Sequence, residues 1–398
     1  MNKNEKYIND YLFFQEGPGV RNYQYTTSGV KLLNVSNLVD GELDLSNSNR
    51  YISDEEANGK YKHFLCDVGD LIIASSGIKA DYFDKKMGFV KEEMLPLCMN
   101  TSTIRFKPLN ETEMNIKYFM YYLKSSHFRK QLEYNLTGSA QLNFGPSHLK
   151  KMKFIYHDIS RQNKIVEKLD SISKMINTKK EQLSKLDELI KSQFVEMFDN
   201  KDFPYVKFKE YMERCVDIGS NGANAIVMEH YNMTDEKDYA MVIRFTNLNS
   251  GDFEKDVKYL NKDDYEFFSK SKVYGDEIIF CKIGSAGMNY IMPRLDMPVT
   301  LGLNQIMVTP KDINTRYLYE YINSYEGKKY INNNINGAVT KTITKHALWE
   351  FPIKTPPIEL QNKFAQIVEQ IDKQKFEFEN SLKKLEELQA SLMQEYFG

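Results

Sequence analysis

A chain of 398 residues with 41% hydrophobic and 27% charged residues is too long for one ordinary core and well able to bury two or three. Its net charge of −2 argues against a simple basic nucleic-acid binder, and its four scattered cysteines offer neither a CxxC pair nor metal spacing. The longest apolar runs, such as Leu71-Ile72-Ile73-Ala74, fall far short of a membrane span, and the polar start MNKNEKYIND lacks the apolar stretch of a signal peptide. Reduced thiols in a cytoplasmic protein are the expectation.

In chain order, a loop-like segment from Gly17 to Tyr25 comes first, with Arg21 and Gln24 as exposed polar candidates. A strand over 30–35 follows, running into Asn37-Leu38 and Gly41. A turn and strand, Val68-Gly69-Asp70-Leu71-Ile72-Ile73, read as buried on both faces. A small-residue loop, Ser75-Ser76-Gly77, comes next. A strand over 103–107, a tyrosine-rich helix over 117–124 and a turn, Thr137-Gly138-Ser139-Ala140-Gln141, complete the segment. It closes on a short strand over 152–156 before a long helix from Gln162 to Phe198.

The same order then recurs. Ala240 to Phe245 and Asn247-Leu248 repeat the opening strand, and Tyr274-Gly275-Asp276-Glu277-Ile278-Ile279 repeats the turn and strand. The loop Gly284-Ser285-Ala286-Gly287, the strand over 305–309, the helix over 316–323 and the turn Asn336-Gly337-Ala338-Val339-Thr340 follow. A strand over 351–353 enters a second long helix, in which Gln361-Asn362-Lys363 stands 199 residues after Gln162-Asn163-Lys164. Since 199 is half of 398, the chain is a tandem duplication of a domain plus its helix.

Each long helix carries a heptad seam. In the first it runs through Ile165, Leu169, Ile172, Ile176, Leu183, Leu186, Ile190 and Met197, with gaps at Lys179 and Gln193. In the second it runs through Phe364, Val368, Ile371, Phe378, Leu382, Leu385, Leu392 and Tyr396, with gaps at Lys375 and Gln389. Interruptions at different heptad positions suit two helices that pair with each other. Asp158 is placed to cap the first, and Pro356-Pro357 to start the second. About 37 residues give a rod of roughly 55 Å.

No phosphate loop, HExxH or catalytic constellation is present, so the chain reads as non-catalytic with no metal or cofactor of its own. Candidates for meeting a nucleic acid lie at strand ends and glycine turns: Ser75, Ser76, Lys79, Ser139, Gln141 and Asn143, with counterparts Lys282, Ser285, Thr340, Lys341, Thr342 and Lys345. Gln and Asn can pair with adenine, Lys with guanine or phosphate, and Ser or Thr with either. Residues 115–156 hold seven basic residues against one acid (7 − 1 = +6), and 314–355 hold six against three (6 − 3 = +3). Local basic faces on a neutral whole are therefore expected. The tyrosines of 118–122 read as core.

The repeated order of strand with Asn-Leu, Gly-Asp turn and buried strand, glycine turn and Gln-Asn-Lys helix resembles the DNA-specificity subunits of type I restriction–modification systems. The resemblance implies an α+β fold with two tandem α/β target-recognition domains, 1–157 and 200–356, and spacer helices, 158–199 and 357–398, paired as an antiparallel coiled coil. It also implies that each domain reads half of an asymmetric bipartite site in double-stranded DNA. The helices would set the spacer and dock two methyltransferase subunits, which would carry S-adenosylmethionine, and restriction/translocase subunits would join for cleavage. A coiled-coil scaffold that touches no DNA, or a nuclease with an unrecognised site, are the alternatives.

Overall fold

The structure is a computed structural model covering residues 4–47, 49–78, 80–135, 142–199 and 201–398, side chains of 78, 80, 81, 135 and 142 excepted. Lys79, Ser139 and Gln141 thus lie outside the described residues. The chain divides into two compact units: unit 1 holds residues 1–180 and 380–398, and unit 2 holds residues 181–379.

Unit 1 is built on an antiparallel sheet of order β1-β8-β4-β6, where β1 is Leu12–Glu16, β4 Leu71–Ala74, β6 Met87–Phe89 and β8 Thr103–Pro108. A second sheet has β7 (Leu97–Met99) parallel to β2 (Val30–Leu33), which pairs antiparallel with β3 (Tyr51–Ile52). The strand β4 sits inside its sheet with every side chain buried, as its uninterrupted apolar run requires. Helix α1 (Ile116–Leu123) supplies Tyr118, Tyr121 and Tyr122 to the core, where Tyr118 and Tyr122 donate to the carbonyls of Ile155 and Lys153.

The predicted loop after β4 is instead a strand: β5 (Ser76–Ile78) pairs antiparallel with β9 (Leu142–Asn143). The pairing satisfies backbone groups that a small-residue loop would have left to solvent.

Unit 2 repeats the plan. One sheet has the order β10-β17-β14-β15: Met212–Val216, Gln305–Pro310, Ile278–Cys281, Asn289–Ile291. The other has the order β12-β11-β16-β13: Lys258–Leu260, Ala240–Ile243, Val299–Leu301, Lys272–Val273. Its single parallel pair, β11 with β16, matches β2 with β7. Helix α3 (Thr315–Asn323) stands where α1 does in unit 1.

The pairing corrects one expected equivalence. Leu71 faces Phe106 in β8, and Ile278 faces Val308 in β17, so β14 lies one residue further along than the shared Gly-Asp suggests. The counterpart of Asp70 is therefore Glu277, not Asp276. Asp70 and Glu277 are both buried, and both accept main-chain N–H bonds, from Asp67 and from Tyr274 and Gly275. Their cations come from different strands: Arg105 of β8 lies 3.5 Å from Asp70, and Arg214 of β10 lies 3.5 Å from Glu277. Asp276 is exposed at φ 68°, following Gly275 at φ 100°, so the turn holds an extra left-handed residue.

The long helices are α2 (Ile159–Phe194, continued by a π turn over Val195–Asp199) and α4 (Ile358–Phe397). Asp158 caps α2 by accepting from the Arg161 N–H at 3.0 Å. Both helices begin with the same latch. The Gln162 carboxamide, fully buried, accepts from Asn115 N–H at 2.9 Å and donates to the carbonyls of Glu113 and His157, while Asn115 donates to Asn163. Gln361 likewise accepts from Asn314 N–H at 2.9 Å and donates to the Pro356 carbonyl, while Asn314 donates to Asn362. Asn115 and Asn314 cap α1 and α3, so one glutamine ties a long helix to the start of the tyrosine helix in each unit.

Within each unit the helices run antiparallel. In unit 1, Lys180 meets Glu386, and the Gln389 carboxamide donates to Ser173 at 2.8 Å; in unit 2, Lys375 meets Asp187 at 2.6 Å. The seam interruptions Gln389 and Lys375 therefore face polar partners. Ile165, Leu169, Ile172, Ile176, Ile190, Val368 and Ile371 are buried, whereas Leu183, Leu186, Phe378, Leu382, Leu385 and Leu392 are half-buried.

The predicted end of the first seam is corrected. After Ile190 the stripe passes to Phe194 and Phe198 rather than to Gln193 and Met197. Phe194 and Phe198 pack on Tyr317 and Phe364, with Phe198 4.7 Å from the Tyr317 ring. The shift begins within the regular helix, at Ile190 to Phe194, and the π turn then carries the chain to Phe198. In unit 1, Phe397 is buried on Tyr118 beside Tyr396.

Candidate nucleic-acid interface

In unit 2 the predicted residues converge on one edge. Beyond β14, Lys282 donates its N–H to Asn304 and accepts from Ile343 N–H, while Gly284 N–H donates to Lys341. The turn from Asn336 to Thr342 closes on itself through two main-chain bonds of 2.8 and 2.9 Å. Gly337 sits in it at φ 101°, where a Cβ would lie 2.1 Å from the Thr340 carbonyl oxygen, so only glycine fits. Ser285, Thr340 and Lys341 are exposed on this edge, and Thr342 is half-buried.

Beneath them sits a residue that sequence reasoning missed. Asp217, just past β10 and 8% exposed, accepts from Lys282 Nζ at 2.7 Å and from Lys345 Nζ at 3.0 Å. Ser220 adds a hydroxyl bond at 3.0 Å. Burial alone would raise the Asp217 carboxyl, but the two ammonium groups outweigh it and hold it at about 2. The cluster carries two positive charges against one negative, and the shared carboxylate fixes the direction of both lysines.

Unit 1 has the same backbone frame with different chemistry. Ser75 N–H donates to Ser102, and Phe144 N–H donates to Ser75, the bonds that Lys282 and Ile343 make in unit 2. Ser75 is fully buried and its hydroxyl has no partner among the described residues, which corrects its placement among the DNA-facing residues. Ser76 donates to the Ser102 hydroxyl at 2.7 Å, and exposed Asn143 accepts from Gly77 N–H at 3.4 Å.

Glu16 stands where Asp217 does, and burial raises its carboxyl; Ser75 and Pro146 replace the two lysines. In the opening loop Arg21 is exposed. Gln24, however, is turned inward, donating to Glu56 at 2.7 Å and to the Tyr61 hydroxyl at 2.9 Å.

Asp217 and Glu16 share one sequence signal: each is an acid at or just past the end of a strand and just ahead of a glycine-containing loop, at Glu16-Gly17 and at Asp217-Ile218-Gly219. The Asn-Leu motifs, by contrast, are structural. Buried Asn37 accepts from Asn34 N–H and donates to the Asp44 carbonyl, and Asn247 makes the same kind of turn with Arg244 and Asp252. Among the described residues no group of three or more acidic, histidine or cysteine side chains could hold a metal ion.

Comparison with known proteins agrees with this duplicated plan. The family described as the type I restriction modification DNA specificity domain matches residues 20–188 and again residues 223–390. A protein of Methanocaldococcus jannaschii named as the specificity subunit of the type I restriction enzyme MjaX is 22% identical over 383 residues, spanning 90% of this chain and 85% of that protein.

Among solved structures, the S subunit of a type I restriction–modification system from M. genitalium aligns over all of this chain and 97% of its own, with a TM-score of 0.56 at 14% identity. A chain from a study of complex assembly and conformational transition in the type I system aligns over 97% of both, with a TM-score of 0.54 at 13% identity. With two family matches covering most of its length, the chain belongs to the type I restriction modification DNA specificity family, and it carries the domain twice.

Proposed function

We propose that each recognition domain, 1–157 and 200–356, reads one half of an asymmetric bipartite site in double-stranded DNA. The observation that carries this is the pair of matched edges: Lys282, Ser285 and Thr340 to Lys345 in unit 2, and Ser76 with Asn143 in unit 1, set on the same main-chain bonds. One frame bearing unlike side chains suits two readers of unlike sequence, since base edges are told apart by donor and acceptor pattern.

The helices over 158–199 and 357–398 set the spacer, because a helical spacer keeps its length where a flexible linker does not. Their polar outer faces dock two methyltransferase subunits, which hold S-adenosylmethionine, and restriction/translocase subunits complete the assembly. The chain itself catalyses nothing. A net charge of −2 fits this division of labour, with partner subunits supplying much of the phosphate neutralisation. No helix among the described residues is long and apolar enough to cross a membrane, in keeping with work on DNA in the cytoplasm.

The test is a genome-wide methylation map with the chain present and deleted. The expected result is loss of one bipartite methylated motif on deletion; an unchanged map would contradict the proposal. Divalent-metal-dependent cleavage of DNA by the purified chain alone would favour a nuclease instead.

A further inference from the structure

Unit 1 also holds a polar groove that neither the motifs nor the matched edges account for. Asn34, Ser36, Asn47, Asn49, Arg50 and Thr101 line it, with Ser102 joining it to Ser76. Arg50 is exposed and makes no ion pair among the described residues. Its guanidinium lies over the Tyr25 ring, 5.3 Å from the centroid.

That ring is tied to a buried hub. Asn100, 2% exposed, donates to the Tyr25 hydroxyl at 3.5 Å and to Asn34 Oδ1 at 2.9 Å, and accepts from Val20 and Thr101 N–H. A guanidinium held over an aromatic face has less freedom to lose on binding, and its planar fork presents paired donors.

The pairing of β12 with β11 places Lys258 at the position equivalent to Arg50, and there the cation is bonded to Asp235. At this pair of equivalent positions the cation without an ion pair is thus that of unit 1. The walls of the groove are carboxamides and hydroxyls rather than lysines, a lining that suits base edges better than phosphates.

Resting on the half-site reading above, we infer that Arg50 is a specificity-determining residue of the first half-site, donating bidentately to the O6 and N7 acceptors of a guanine. The test uses the full chain assembled with its modification subunits, titrated against duplexes in which each base pair of both half-sites is replaced in turn. Arg50→Ala should erase discrimination at one G·C pair of the first half-site, a loss of roughly 5- to 150-fold in preference. Discrimination throughout the second half-site should stay as in the parent. Arg50→Lys should recover affinity but only part of that preference, since an ammonium cannot form the paired bond.

A uniform loss of affinity with a shallower salt dependence would mark a phosphate contact and overturn the inference. So would an unchanged panel, a relaxed A·T position, or loss in both half-sites. If the parent itself discriminates nowhere in the first half-site, the half-site reading fails, and the inference with it. Thermal unfolding of the variants, expected to match the parent, separates loss of contact from loss of fold.

Discussion

Units 1 and 2 build the same edge with opposite electrostatics. At equivalent backbone positions unit 1 has Glu16, Ser75 and Pro146, whereas unit 2 has Asp217, Lys282 and Lys345. The acid of unit 2 is matched by two cations and held at about 2; that of unit 1 lacks both lysines and is pushed up by burial. Main-chain bonds to Asn304 and Ser102 hold both edges in place whatever their side chains. A frame fixed by backbone pairing leaves its outward residues free to diverge, which is what two readers on one scaffold require.

The largest test of that comparison replaces residues 1–157 with another recognition domain of the family. One half of the methylated sequence should change completely and the other not at all; change in both halves would break the modular reading. Next in size is Phe198→Ala, which should cost about 4 kcal/mol in unit 2 by emptying the space between Tyr317 and Phe364, read as a lowered denaturant midpoint.

The latches offer a symmetric pair. Gln162→Ala and Gln361→Ala each leave buried main-chain groups unpaired and should each cost about 3 kcal/mol. Very unequal losses would show that the two joints are not equivalent.

The acids are expected to differ. Asp217→Asn should cost about 2 kcal/mol and weaken recognition of the second half-site only, whereas Glu16→Gln should stay within about 0.5 kcal/mol. Their pH dependences carry opposite signs. Asp217 has a folded value of about 2 against an ordinary 3.8, so its contribution is fully present above about 3.8 and is lost as pH falls through about 2. Glu16 has a folded value above its ordinary 4.5, so the fold gives up stability as pH rises from 4.5 through that raised value. Melting curves of both variants against pH would show the two signs, or fail to.

The sequence made the duplicated order of elements, the buried strands, the tyrosine helices and most of the helix seam legible, because apolar periodicity and burial follow the same rule. It misled where a local match competed with sheet pairing. The shared Gly-Asp drew Asp70 onto Asp276, although cross-strand partners put Glu277 there. Only pairing reveals an extra residue in a turn. Phe194 and Phe198 were hidden because the stripe shifts by one residue after Ile190, which a fixed heptad count skips and only the packing on Tyr317 and Phe364 reveals.

The candidate site was half legible. Glycine turns and strand ends located the edge in unit 2. Burial of Ser75, the inward turn of Gln24 and the joining role of Asp217 depend on contacts between segments far apart in sequence.

Unit 1 takes its last helical segment from residues 380–398, and Phe397 lies buried against Tyr118 and Tyr122. A ribosome therefore releases nearly the whole of unit 2 before unit 1 can close its core. Until then the tyrosine helix has bare aromatic surface, open to chaperones, to proteases and to the equivalent helix of a neighbouring nascent chain. A frameshift or premature stop at the codons for residues 380–398 would strike unit 1, made first, rather than unit 2.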